Sequence, residues 1–264
     1  VEAVWKLPSR FWCQMVADQM ARRKNWRLCI GDCMSGQMGY FESDSESPIE
    51  QASFEEFARK DPAFNQITAI TYTWENYESE YEEKIASKLT LIATAKDVKS
   101  LERRFFPRIN YSAFEILKLN TIDSIGVHSA ILNHLVDKRI GIRNLGLSYN
   151  GRLSTKLLKR MVKKKVIIEM KMHGDWLPKS TESLIEALVP QRQLREFYYN
   201  ERITLSRSFF ESLVADWKKD DLPEAKNISF WAKKATLPLK TGVYFHPNSK
   251  QQLNVCVNSN YSRL

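Results

Sequence analysis

The chain is poor in the features that mark membrane, secreted or phosphate-cradling proteins. No apolar run approaches the ~18 residues that a helix needs to cross a bilayer, so no membrane partner is expected. Val1-Glu2-Ala3-Val4-Trp5 lacks the basic stretch and apolar core of a secretory signal, and a first residue other than Met points to a segment upstream. Four cysteines among 264 residues make no disulfide framework, so reduced thiols and a cytoplasmic or nuclear location are expected. Cys29-x-x-x-Cys33 has no second ligand pair at finger spacing, so no metal is expected. The glycines form neither a phosphate loop ending in Lys-Ser/Thr nor a dinucleotide fingerprint after a strand. His-Glu-x-x-His and Gly-x-Ser-x-Gly are missing too. His128, His134, His173 and His246 are scattered and read as surface or hydrogen-bonded polar residues. No catalytic residue and no cofactor are therefore expected.

Charge is present in quantity and unevenly placed. The chain carries +9 overall, yet between Glu42 and Glu83 twelve acidic residues face only Arg59 and Lys60. The remaining body is correspondingly basic. Lys159, Arg160, Lys163, Lys164 and Lys165 form its densest cluster. Cations at a helix C-terminus are locally favourable, which is one account of them. A phosphate-binding patch for nucleic acid is the other, although no aromatic ladder accompanies it.

The strongest pattern is a six-residue signature, apolar-apolar-x-x-apolar-apolar. It begins at Ile131, Leu157, Leu184 and Phe209, in steps of 26, 27 and 25 residues. Such a period marks stacked repeats. Leu101, Phe105 and Phe106 look like a degenerate earlier copy on a helix from Asp97 to Phe106. Each later copy follows a strand-like stretch: Phe114–Leu119, Asn144–Tyr149, Val166–Met172 and Leu194–Tyr199, with Asn227–Trp231 closing the series. Ser154 and Ser180 suit helix N-caps, and Ser208 with Glu211 has capping-box spacing. Strand, link and helix repeated in order predict parallel strands with crossover helices.

Upstream, Leu7–Arg23 reads as a helix, followed by short strands at Trp26–Ile30 and Met38–Phe41. The polar run from Glu42 to Pro48 is the best internal boundary. A short helix at Ser53–Arg59, a strand at Ile67–Trp74, an acidic helix-forming stretch at Glu75–Lys88 and a strand at Leu89–Ile92 come next. Val243–His246, a Pro247–Lys250 turn and Gln252–Val257 form a terminal hairpin suited to capping a repeat array. Three segments result: 1–48, 49–236 and 237–264.

Alternation decides how the sheet is covered. Ile168, Met170 and Met172 alternate with Glu169, Lys171 and His173, so one face is buried and the other wet. A sheet covered on both sides would have nearly continuous apolar strands. The expected fold is an α/β, leucine-rich-repeat-like solenoid: a curved parallel sheet with helices on one face, a small N-terminal helix-strand cap and a C-terminal β-hairpin. Leu145-x-Leu147-x-x-Asn150 resembles the strand-and-asparagine core of that superfamily, while the other repeats lack the asparagine at that offset. The wet face supplies the candidate partner-binding residues: Asn144, Ser148, Glu169, Lys171, His173, Glu196, Tyr198, Ser229 and Trp231. His173-Gly174-Asp175-Trp176 mixes chemistries at a strand end, and reads as a turn before it reads as an active site.

Val4-Trp5-Lys6-Leu7-Pro8-Ser9-Arg10-Phe11, followed by Met15 and Val16, resembles the degenerate opening of a nematode-expanded F-box-like family. Its members continue into a divergent strand–helix repeat region and close with a His-Pro hairpin, here Phe245-His246-Pro247. The resemblance implies a non-enzymatic adaptor that recruits proteins to a Skp–cullin ubiquitin ligase, with Leu7, Pro8, Phe11, Met15 and Val16 as the F-box-like residues and a Skp-type protein as one partner. The strands at Trp26–Phe41 depart from that family, whose F-box needs several helices, and leave protein binding as the broader expectation. Nucleic-acid binding through the basic body is the alternative.

Overall fold

Arg10–Arg22 forms helix α1, and strand β1 (Lys24–Cys33) starts almost at once after it. The structure, a computed structural model, describes residues 10–33, 36–44, 49–73, 85–121, 125–203, 207–232 and 242–259. The chain divides into two compact units, Val1–Phe114 and Glu115–Leu264.

In the first unit β1 pairs antiparallel with β2 (Gly36–Ser43) and parallel with β4 (Asn65–Thr73). Two short strands, β3 (Gln51–Ala52) and β5 (Thr90–Ile92), both pair antiparallel with β2. The polar run at Glu42–Pro48 therefore has strands of one sheet on either side, with Ser43 N–H donating to Glu50 O at 2.8 Å. It separates no compact units. Helix α2 (Phe54–Arg59) is short, and Ser53 with Glu56 closes a capping box at its start. Arg108 satisfies carbonyls of Phe57 and Ala58 at its far end, at 2.7 and 2.8 Å. The core is aromatic: Phe41 stacks on Phe57 at 3.8 Å, and Phe105, just past helix α3 (Ala95–Arg104), meets Phe41 edge-on at 5.1 Å. Leu101, Phe105 and Phe106 are all buried, as a degenerate repeat copy requires. Cys29 is a buried free thiol, and burial followed by the Glu42 charge pushes it up to about 12. Of the acidic stretch expected to be helical at Glu75–Lys88, residues 75–84 lie outside the described residues, and Ala86–Lys88 is one 3₁₀ turn.

The second unit is a mixed α/β arrangement whose mostly parallel sheet does not close. Strands β6 (Ile116–Leu119), β7 (Asn144–Ser148), β8 (Glu169–His173), β9 (Glu196–Ile203) and β10 (Lys226–Ala232) lie side by side in chain order, every pair parallel. Helices α4 (Val127–Leu135), α5 (Gly151–Lys164), α6 (Pro178–Leu188) and α7 (Arg207–Lys219) link them. The terminal hairpin extends this sheet instead of capping it. Its second strand, β12 (Gln252–Ser259), lies parallel beside β10, and β11 (Gly242–Phe245) pairs antiparallel outside β12.

The signature marks the inward side of the helices. Ile131, Leu132, Leu135, Leu157, Leu158 and Met161 are all fully buried. Strand residues stack in matching rows: Leu117, Leu145, Met170, Phe197, Ile228 and Val255 are register partners from β6 to β12, and each is at most 2% exposed. One backbone bond repeats at the foot of the strands. Arg143 N–H donates to Glu115 O, Ile168 to Arg143, Arg195 to Ile168 and Asn227 to Arg195, at 2.7 to 2.8 Å. That chain of bonds holds the repeats in line. Asn150 has a different task, since its Nδ2 donates to Ser129 Oγ at 2.9 Å.

The helix starts differ from expectation by a turn or less. Asn150 is the N-cap residue of α5, and Ser154 lies inside the first turn. Its hydroxyl accepts the Asn150 N–H and donates to Ser148 O. Leu177 precedes α6, whose second and third residues include Lys179 and Ser180, and α7 already contains Ser208. A serine within one turn of a helix start can serve the same backbone groups from either side of the boundary, so spacing alone does not fix which.

Candidate functional site

Matching rows on the sheet bring together side chains that are far apart in sequence. Lys171 in β8 faces Tyr198 in β9 and Ser229 in β10 across the register, and Glu169, Glu196 and Asn227 form the next row. These rows alternate with the buried ones, so they point away from the core. Between them lies a cleft of about 500 Å³, floored by Met170 and Phe197. Lys171, His173, Glu196, Tyr198 and Ser229 line it, five of the nine residues expected on the wet face.

The other four fare differently. Asn144 and Glu169 are half-buried on the same face but do not line the cleft. Ser148 is buried at 4% exposure, which corrects its place among the wet residues. It ends β7 directly beside His173, and its carbonyl accepts the Ser154 hydroxyl of α5. Trp231 is in β10, but its side chain lies outside the described residues.

Besides Met170 and Phe197, two polar lining residues, Asn120 and Asn227, were not among the expected set. Asn120 follows Leu119 just as Ser148 follows Leu147 and His173 follows Met172, so continuing the strand alternation by one residue would have found it. Asn227, the second residue of β10, has the open-face parity and carried the same signal. Gly146 in β7 gives Asn120 its reach. A Cβ at Gly146 would lie 2.5 Å from Asn120 Oδ1, so the amide lies over β7 only because that position is bare.

Polar groups of this cleft lack partners to an unusual degree. Asn120 Oδ1 and His173 Nε2 are buried with no hydrogen-bond partner. A buried polar atom without a partner costs roughly 1–3 kcal/mol, a cost that an incoming ligand group removes. Lys171 and Glu196 form no ion pair among the described residues. Asn254 Nδ2 donates to Asn227 Oδ1 at 2.6 Å, so the Asn227 NH₂ is the end left to donate. Burial, and then the Lys171 charge, hold the His173 imidazole below its ordinary value. The cleft thus offers a neutral imidazole, a cation, a carboxylate, two amides and an aromatic ring.

The His173-Gly174-Asp175-Trp176 cluster is a turn. Gly174 takes φ +77°, Trp176 Nε1 donates to His173 O at 2.9 Å, and Asp175 is exposed. Among the described residues no nucleophile is hydrogen-bonded to the imidazole. No group of three or more His, Cys, Asp or Glu side chains able to hold a metal occurs among the described residues.

The basic cluster splits. Arg160 and Lys164 donate to the carbonyls of Val136 and Ile140, tying α5 to the preceding repeat, while Lys159, Lys163 and Lys165 are exposed. Leu7 and Pro8 of the F-box-like opening lie outside the described residues, as does the side chain of Phe11. Met15 and Val16 are half-buried in α1. No helix among the described residues is long and apolar enough to cross a membrane. No family model, no curated protein and no solved structure matches the chain.

Proposed function

We propose that the second unit is a protein-interaction module that takes an extended polar segment of a protein partner on the open face of its sheet. The observation that carries this reading is the cleft itself, where, among the described residues, Asn120 Oδ1 and His173 Nε2 are buried without hydrogen-bond partners beside Lys171 and Glu196, which form no ion pair. A size of about 500 Å³ is enough to take one or two side chains of a bound segment. The architecture we infer is a one-sided solenoid of the leucine-rich-repeat kind, with its sheet face as the binding surface. Matching buried rows and the repeated backbone bond before each strand support it.

Affinity purification of the full-length protein, followed by mass spectrometry, tests the reading against a Lys171→Glu/His173→Ala/Tyr198→Ala variant. Partners recovered with the wild type should be lost with the variant while its thermal transition is retained. Unchanged recovery overturns the assigned face. Coupling to a Skp–cullin ligase is proposed on the resemblance of the N-terminal stretch alone, and recovery of Skp and cullin subunits is its test. Recovery of ribosomal proteins or histones that vanishes with nuclease would favour the nucleic-acid reading, for which only Lys159, Lys163 and Lys165 of the cluster stay clear of backbone carbonyls.

A further inference from the structure

Helix α5 carries a second group of cations, nearer its start than the cluster first apparent in the sequence. Arg152, Lys156 and Lys159 follow one another at four- and three-residue spacing, so they share one helical face. They surround a depression of about 560 Å³ whose remaining walls include Tyr149, Leu153 and Leu177. Among the described residues no carboxylate lines it. Arg152 and Lys159 form no ion pair among the described residues, and Lys156 reaches only the exposed Asp137, at 2.8 Å.

The apolar part is exposed yet built on a firm base. Leu177 is 58% exposed, while Trp176 beside it is buried and sets its ring 5.3 Å from that of Tyr149. Leu177 adjoins the half-buried Leu153 and Tyr149 in one depression, so the apolar floor is contiguous and is rimmed by charge of one sign. Helices α5 and α6 both begin here, at Gly151 and Pro178, and helix starts favour negative charge. The charge is thus wholly positive and the floor apolar.

We propose that this depression docks an acidic protein segment through one large apolar side chain. The side chain would pack on Leu177, Leu153 and Tyr149, and flanking carboxylates would meet Arg152 and Lys159. A nucleic-acid strand is the poorer fit: successive bases stack on successive aromatic rings, and among the described residues Tyr149 is the one ring that lines the depression. The site shares no lining residue with the open-face cleft and does not depend on it.

Fluorescence anisotropy of the full-length protein with a labelled peptide of about fifteen residues, Glu-rich with Leu and Phe on one helical face, tests the proposal. Two controls accompany it: the same peptide with Ser replacing the Leu and Phe, and an oligothymidylate of equal charge. Saturable binding of the first peptide only is expected. It should weaken about ten-fold in Arg152→Glu/Lys159→Glu and several-fold in Leu177→Ser. Lys218→Glu/Lys219→Glu, an equal charge change on exposed residues at the end of α7, should leave it within about two-fold. The proposal is overturned by the absence of saturable binding, by equal binding of either control, or by insensitivity to Leu177→Ser.

Discussion

The Cβ that Gly146 lacks would sit 2.5 Å from Oδ1 of Asn120, one strand away. A single methyl group therefore decides whether this amide lies over β7 and into the cleft. Gly146→Ala should push Asn120 aside and weaken partner capture as much as Asn120→Ala does. Because the obstacle is a movable side-chain end, the stability cost should stay within about 1 kcal/mol. Urea unfolding beside a binding assay separates the two effects.

His173 should stay neutral through the physiological range. Burial, then Lys171, depress its folded value below 6.5, so the unfolded chain takes up the proton first as pH falls. Its contribution to stability is fully present above pH 6.5 and is lost as pH drops toward the folded value. Lys171→Met should raise the imidazole value, though not to 6.5, since burial remains. A ring-proton NMR titration reads both, and an unmoved titration would show that Lys171 does not act on the ring.

Lysines and arginines of one short stretch should differ sharply in worth. Arg160→Met and Lys164→Met each leave a backbone carbonyl of the preceding repeat without its donor, at a cost of about 1–2 kcal/mol. Lys163→Met, on an exposed residue, should be nearly neutral. Denaturant midpoints of the three variants provide the comparison.

Lys165 ends α5 with φ 54°, in the left-handed region. A glycine tolerates that conformation without the clash of a Cβ, so Lys165→Gly should stabilise the protein by about 1 kcal/mol. A raised melting temperature is the expected readout.

Lys226 is buried with its ammonium donating to Gln191 O at 2.8 Å, and burial, then Arg195, bring it down to about 8. A lysine depressed from 10.5 to about 8 binds fewer protons folded than unfolded between those values, so stability should rise with pH across that window. The rise is at most about 1.4 kcal/mol per pH unit. Unfolding curves at both ends of the window should differ less for Lys226→Met than for the wild type.

The repeat was legible in sequence because burial wrote it there. Ile131, Leu157, Ile185 and Phe210 had to be apolar to fill the space under their strands, and their spacing survived as a pattern. Alternation in β8 and β9 likewise betrayed the face that carries Lys171 and Tyr198. Depth was not legible: Ser148 shares that face yet is covered, because alternation reports direction and not what lies overhead. The bonds joining Glu115, Arg143, Ile168, Arg195 and Asn227 left no trace, since any residue's N–H and C=O can make them. Asn120 lay on the same alternation one residue past Leu119, but its reach over β7 depends on Gly146, 26 positions further on, a relationship that one sequence does not display.

Strand β12 lies between β10 and β11, so the later strand of the hairpin is inside the sheet and the earlier one outside. On the ribosome the outer edge of β10 must then wait, with its amides and carbonyls bare, until residues 252–259 have emerged. Within the second unit, synthesis order and sheet order are reversed at this place. A nascent chain halted after Phe245 would present an edge ready to pair with the wrong chain, and quality-control factors would meet it in that state.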